Sequence, residues 1–187
     1  MEMTNRNNSI FIFDIDGTLT YPRQPIIQDH LKIFKKFIKT YPNSIFLITG
    51  SDKKKVDFQL DSLSNNLPLY TCQGNEYWNN GICLYQRNSP NLYKPDLLTF
   101  LIDWLVLSPY PIKTGNHIEF RTGMINISSV GRNATIEQRT IYNLWDSKIQ
   151  ERITFQKILQ EKFPYLQISL GGKISFCLLY TSPSPRD

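Results

Sequence analysis

A chain of 187 residues, 41% hydrophobic and 20% charged, has the make-up of a globular protein with one or two small domains and excludes a fibrous or disordered class. Its formal charge of +5 suggests an anionic partner, but the longest basic run is Lys53-Lys54-Lys55, expected on a solvated helix face. A small phosphorylated ligand is therefore the better expectation, with no nucleic acid.

The opening MEMTNRNNS has no apolar stretch, so no secretory leader is expected. The longest apolar run, Leu97 to Leu107, holds Thr99 and Asp103 and is too short for a bilayer, so no membrane partner is expected. Cys72, Cys83 and Cys177 form no metal or disulfide pattern, which suits a reducing, cytoplasmic location.

In chain order, residues 10–13 and 44–48 read as short buried strands. Between them Ile27, Leu31, Phe34 and Ile38 recur at helical spacing, so the start is a βαβ unit with a parallel sheet. A second helix over about 53–63 leads to a strand near 69–72. The character then changes. YWNNGICLY reads as a hairpin turning at Asn79-Asn80-Gly81, and residues 95–107 as an amphipathic helix. Strands 117–121 and 124–128 flank Thr122-Gly123; helices follow over 135–145 and about 147–163, then a last hairpin around Gly171-Gly172. A second, α+β domain is expected from about residue 80 onward.

The stretch FDIDGTLT places Asp14 and Asp16 at the end of the first strand, where residues two apart share a face and where parallel sheets bind ligands. Gly17 lets the turn approach a ligand closely. Two carboxylates there can bind Mg²⁺ through oxygen; one can also act as a nucleophile while the other moves protons. An EF-hand fails on spacing, because Leu19 and Pro25 stand where it needs Gly and Glu. A turn merely capped by the two aspartates is the structural alternative.

FIFDIDGTLT resembles the first signature of haloacid-dehalogenase-type phosphatases and phosphomutases. The resemblance implies that Asp14 is the phosphorylated nucleophile and Asp16 the general acid and base, both next to Mg²⁺. LITGSD, residues 47–52, resembles the second signature, in which a hydroxyl holds the phosphate; Thr49 and Ser51 both qualify. The implied fold is α/β, a Rossmann-like core with an inserted α+β cap.

In the hairpin register set by Thr122-Gly123, Arg121 faces Met124 and Glu119 faces Asn126. One face then carries Ile118, Phe120, Ile125 and Ile127, and the other Glu119, Arg121, Asn126 and Ser128, a polar face suited to a sugar phosphate. Thr135 and Gln138 fit a capping box, which puts Arg139 in the first helical turn, where a cation is unfavourable unless an anion lies near. Arg121, Arg132 and Arg139 together suggest a phosphate clamp; surface salt bridges are the alternative for each alone.

The stretch 115–139 resembles the cap of eukaryotic-type phosphomannomutases, in the pattern F-I-E-F-R-x-G-M-x-N-x-S-x-x-G-R; TYPRQ at 20–24 and GGKISF at 171–176 extend the likeness. It implies that Arg23, Arg121, Arg132, Arg139 and Ser175 bind a hexose phosphate. Mannose 6-phosphate and mannose 1-phosphate would be interconverted for GDP-mannose synthesis, with a hexose 1,6-bisphosphate priming the aspartyl phosphate and caps pairing into a homodimer. Departures are Gln73-Gly74-Asn75-Glu76 where the family has an E-N-G turn, His117, and Thr49 in place of a glycine.

A three-residue loop Gly171-Gly172-Lys173 would pair Leu170 with Ile174 and Ile168 with Phe176, which sends Ser175 and position 177 to the polar side. The family has a substrate-binding aspartate at the latter position, and this chain has Cys177. CLLYTSPSPRD back-translates into something resembling a sequencing adaptor, so residues 177–187 are expected to be non-native, with core over 1–80 and cap over 81–176. The family's third and fourth signatures would then be missing, the core sheet would have an open edge, and the chain is expected to be an inactive fragment. The alternatives are a sugar-phosphate phosphatase on the same fold and a non-catalytic sugar-phosphate-binding fragment.

Overall fold

The computed structural model of the protein describes residues 9–87, 89, 92 and 94–180. The chain divides after Arg87 into two compact units.

The first unit is built on a five-stranded sheet of order β1-β2-β3-β4-β5. Its strands are β1 (Phe11–Asp14), β2 (Ile45–Ile48), β3 (Leu69–Thr71), β4 (Glu76–Asn79) and β5 (Ile82–Gln86). The first three run parallel and the last two antiparallel. Helix α1 (Gln28–Thr40) crosses between β1 and β2, and α2 (Lys53–Leu60) and α3 (Leu63–Asn66) between β2 and β3. The predicted βαβ start is thus present, but the expected single helix over 53–63 breaks at Asp61, whose φ is 49°.

Alternation along β1 sorts its side chains. Phe11 and Phe13 pack edge-on against Phe37 and Phe34 of α1, in a core with Ile15, Leu47, Val56, Leu60 and Leu69. Ile12 points the other way and is 66% exposed, as is Ile48 at 41%. Strands of a parallel sheet are ordinarily covered on both faces. Among the described residues β1 is a sheet edge, and Ile12 of β1 and Ile48 of β2 lie open on one face of the sheet.

The hairpin of β4 and β5 turns through Asn80 (φ 49°) and Gly81 (φ 74°), two positive values that match the predicted turn and the type I′ preference of Asn-Gly. Both its strands belong to the first sheet, so the expected boundary at residue 80 falls inside this hairpin and the unit extends to Arg87.

The second unit carries a four-stranded antiparallel sheet, order β6-β7-β9-β8, from β6 (Ile118–Arg121), β7 (Met124–Ile127), β8 (Leu166–Gly171) and β9 (Ser175–Tyr180). Helix α4 (Pro95–Leu107) has the predicted bounds. Leu97 and Leu101 of α4, Phe155 and Leu159 of α6 (Glu151–Lys162), and Ile125, Ile127, Ile168, Phe176 and Leu178 of the sheet form one core. Trp104 stacks on Phe155 at 4.1 Å between ring centroids and meets Phe176 edge-on at 5.2 Å.

Helix α5 (Ile136–Ile149) runs four residues past its expected end, and α6 starts correspondingly late. The break sits at Gln150, in the left-handed region at φ 57°, where no glycine or proline announces it. The expected capping box is present, with Thr135 Oγ1 accepting from Gln138 N–H and Gln138 Oε1 accepting from Thr135 N–H.

The last hairpin differs from expectation by one step along each strand. Gly171 pairs with Ser175, Leu170 with Phe176 and Ile168 with Leu178, because the positive φ falls on Gly172 (54°) and the loop becomes 172–174. Facing is unchanged, since both registers leave Ser175 and Cys177 on the side opposite Phe176. Residues 177–180, expected to be foreign, continue β9 between β7 and β8, and Leu178 is fully buried. Four consecutive apolar residues suffice to extend a strand; residues 181–187 lie outside the described residues.

Candidate active site and sugar-phosphate face

Asp14 ends β1 opposite Ile48 and is exposed, while Asp16 follows in the turn. Between them Ile15 is fully buried. Gly17, at φ 89°, has open space where a Cβ would stand, which fits a turn that a ligand can approach.

Asp16 is held by four donors. Its Oδ1 accepts from Arg23 N–H at 2.8 Å and from Gln59 Nε2 at 2.8 Å. Its Oδ2 accepts from Ser51 Oγ at 3.4 Å and from Lys55 Nζ in a short ion pair. Burial, the largest single influence, favours the neutral acid, but the bonds from Lys55, Arg23 N–H and Gln59 together outweigh it and hold the carboxyl below the ordinary aspartate range. The folded state thereby gains stability above the unfolded carboxylate pKa, and loses it as pH falls through the lowered value.

Of the two candidate hydroxyls, the structure brings Ser51 to Asp16. Thr49 Oγ1 instead accepts from Ser51 N–H at 3.1 Å. The loop is braced by backbone bonds from Gln73 N–H to Thr49 O and from Cys72 N–H to Ser51 O. Arg23 contributes its backbone to the cluster, at φ 64°, and its side chain is exposed.

Lys55 and Gln59 were not foreseen as site residues. Only Lys54 of the basic trio is exposed: Lys53 bonds Asp57 and Asn65, and Lys55 joins Asp16 to Ser51 Oγ at 2.9 Å. The signal was available, since residues 55 and 59 are spaced by four and share one face of α2, just after Ser51. Gln59 must present its amino group, because its oxygen would repel Asp16. Lys55→Met is expected to raise the Asp16 carboxyl toward its ordinary value, read by carbon-13 NMR titration; an unmoved titration would mean that the ammonium is not its main partner.

Magnesium takes one or two carboxylates and completes its shell with water and phosphate oxygens, so a pair of hard carboxylates suits it. Asp14 and Asp16 are the residues that would hold it, with the Lys55 ammonium already facing one of the oxygens it would use. No cluster of three or more His, Cys, Asp or Glu occurs among the described residues.

In the second unit the β6–β7 register is the predicted one, Arg121 opposite Met124 and Glu119 opposite Asn126. One oxygen, Glu119 Oε2, accepts from Arg121 NH2 at 2.9 Å and from Arg132 Nε at 3.1 Å. Arg132 NH1 reaches Ser175 Oγ at 3.3 Å. Arg139 donates to the carbonyls of Ala134 and Arg132 at the helix start. Gly131, just before Arg132, is obligatory: its φ is 90° and a Cβ would lie 2.3 Å from Gly115 O. Cys177 sits beside Asn126, whose Nδ2 donates to its sulfur at 3.2 Å. Burial pushes the thiol pKa up, against the pull of Asn126, Arg121 and Arg132, and the sulfur stays uncharged at neutral pH.

Among solved structures, the trehalose-6-phosphate phosphatase C-terminal domain of C. albicans matches with a TM-score of 0.58 and 18% identity, over 93% of this chain and 57% of that one. A trehalose-6-phosphate phosphatase related protein matches with a TM-score of 0.55 and 15% identity, over 93% and 69%. With the doublet at the end of β1, these likenesses define the class: a haloacid-dehalogenase-like α/β fold with a mixed second unit. A profile of the eukaryotic phosphomannomutase family matches residues 32–182. The phosphomannomutase of Spinacia oleracea is 34% identical over 89% of this chain and 70% of its own length. Phosphomannomutase 1 of Dictyostelium discoideum is 34% identical over 90% and 70%. The chain belongs to the eukaryotic phosphomannomutase family.

Proposed function

We propose that the protein acts in the interconversion of mannose 6-phosphate and mannose 1-phosphate, through an aspartyl phosphate on Asp14, in supply of GDP-mannose. The observation that carries this reading is the polar face of the second unit, where Arg121 and Arg132 share Glu119 and Arg132 meets Ser175, in a chain of this family.

In this mechanism an oxygen of Asp14 attacks the phosphorus of a hexose 1,6-bisphosphate, and the bond to the sugar oxygen breaks. Asp16, ionised in the free protein, takes the proton of the sugar hydroxyl that attacks the aspartyl phosphate, and returns it to the sugar oxygen that departs in the opposite step. Ser51 and Lys55, which bond Asp16 in the free protein, are assigned the oxygens of the transferring group. The guanidiniums hold the phosphate that is not reacting. Bound magnesium would supply positive charge to the phosphoryl oxygens. Arg23, Thr49 and Arg139 complete the proposed binding set. We place the protein in the cytoplasm as a homodimer through its second unit; no helix among the described residues is long and apolar enough to cross a membrane.

The resemblance puts further catalytic groups beyond the segment seen here, and the open isoleucines on β1 and β2 fit a core that needs more cover. The 187-residue chain alone is therefore proposed to turn over little while still binding the sugar phosphate. Calorimetry with mannose 6-phosphate tests the binding, and its absence would reject the clamp. Arg139→Ala is expected to weaken binding roughly tenfold or more, and an unchanged affinity would remove Arg139 from the set. In a turnover assay with and without hexose bisphosphate, release of inorganic phosphate without isomerisation would favour a phosphatase instead.

A further inference from the structure

At the corner between α5 and α6, Asp146 and Arg152 are both buried, at 5% and 7% exposure. Asp146 Oδ1 accepts from Arg152 N–H at 3.0 Å and Oδ2 from Arg152 Nε at 2.7 Å. The other side of the guanidinium is also used. Arg152 NH1 donates to Gly172 O at 3.0 Å and to Ser175 O at 3.3 Å, on the two sides of the β8–β9 turn.

We infer that Asp146 and Arg152 are positioning residues that hold the β8–β9 turn so that Ser175 meets Arg132 at the sugar-phosphate face, an inference that rests on the function proposed above. The polar chain is continuous. Ser175 Oγ donates to Gly171 O at 3.0 Å and accepts from Arg132 NH1; Arg132 and Arg121 then share Glu119. The turn has little slack, since a Cβ on Gly171 would lie 3.2 Å from Cys177 Sγ and 3.3 Å from Ser175 Oγ.

Stability alone is a weak reason for such a pair, because apolar residues of similar volume often serve a buried site as well or better. A planar fork does something apolar packing does not: it sets a carboxylate and two carbonyls at fixed mutual distances. The same helix also carries Arg139 in its first turn, seven residues before Asp146, or about 10 Å along the axis. One rigid element thus relates the turn holding Ser175 to a second candidate ligand arginine.

The test is a double-mutant cycle on mannose 6-phosphate affinity, by calorimetry on the 187-residue chain, with amide hydrogen exchange as a second readout. Arg152→Lys keeps a cation for Asp146 but cannot reach the carboxylate and both carbonyls at once. It is expected to weaken binding about tenfold and to speed exchange at Gly171 and Ser175, while the β6–β7 amides stay as they were. Added to Ser175→Ala, it is expected to cost no more than about twofold further, because both changes cut the same chain of contacts. Asp146→Asn, which keeps the shape and one acceptor oxygen, is the milder variant should Arg152→Lys unfold the unit, and should move the same readouts the same way. Independent, multiplying losses of affinity, or an unaltered turn, would overturn the inference. If the unsubstituted chain does not bind mannose 6-phosphate, the proposed function fails instead, and exchange alone decides the positioning role: loosening confined to the turn supports it, and unchanged exchange refutes it.

Discussion

Asp14→Asn is expected to abolish covalent phosphate uptake and to lower turnover by about four orders of magnitude or more, the scale seen when an enzyme loses its nucleophile. Asparagine preserves size and polarity at the end of β1, so folding should be untouched; the position is exposed and Asp16 keeps its own donors. The measurement is acid-quenched labelling of the catalytically competent protein by a labelled hexose bisphosphate in the presence of magnesium. Persistent labelling of the variant would assign the nucleophile to another side chain and remove the basis of the proposed mechanism.

The second large effect concerns stability. Leu178 is fully buried on β9, in the core shared with Phe155 and Phe176. Leu178→Ala should lower the unfolding free energy of the second unit by about 2–5 kcal/mol, a large share of the ~5–15 kcal/mol typical of a domain. Denaturant titration followed by tryptophan fluorescence would report it, since Trp104 packs into the same core. A shift below about 0.5 kcal/mol would show that the segment after Phe176 is not built into the sheet, as its adaptor-like sequence suggests.

How much of this was legible in the sequence depended on whether local geometry or distant packing decides each feature. The β6–β7 register was readable because period-two alternation and a two-residue turn admit one answer. The Asn80-Gly81 turn was readable for the same reason. The end of α5 was not: Gln150 adopts a left-handed conformation that the bond from its N–H to Asp146 O and the packing of the corner impose, with no local residue announcing it. The hairpin of β4 and β5 looked like the opening of a second domain, because antiparallel pairing alone does not tell whether a strand joins the sheet before it or the one after. At the site, the Asp doublet and the arginines stood out as residue types in a pattern. Lys55 did not, because a lysine among lysines reads as solvated surface until tertiary structure places Asp16 opposite it. Asp146 and Arg152 were likewise invisible, six residues apart and facing each other only across the corner.

Ile15 has a mechanical consequence. With its side chain wholly inside the hydrophobic interior, it acts as a peg between the two acidic neighbours. Pulling that peg out would cost about 2–3 kcal/mol of apolar hydration, several times thermal energy, so the spacing between the two carboxylate-bearing backbone positions is set during folding rather than on ligand arrival. The two acidic side chains are thus anchored to the interior through the residue between them, whichever ligand they meet.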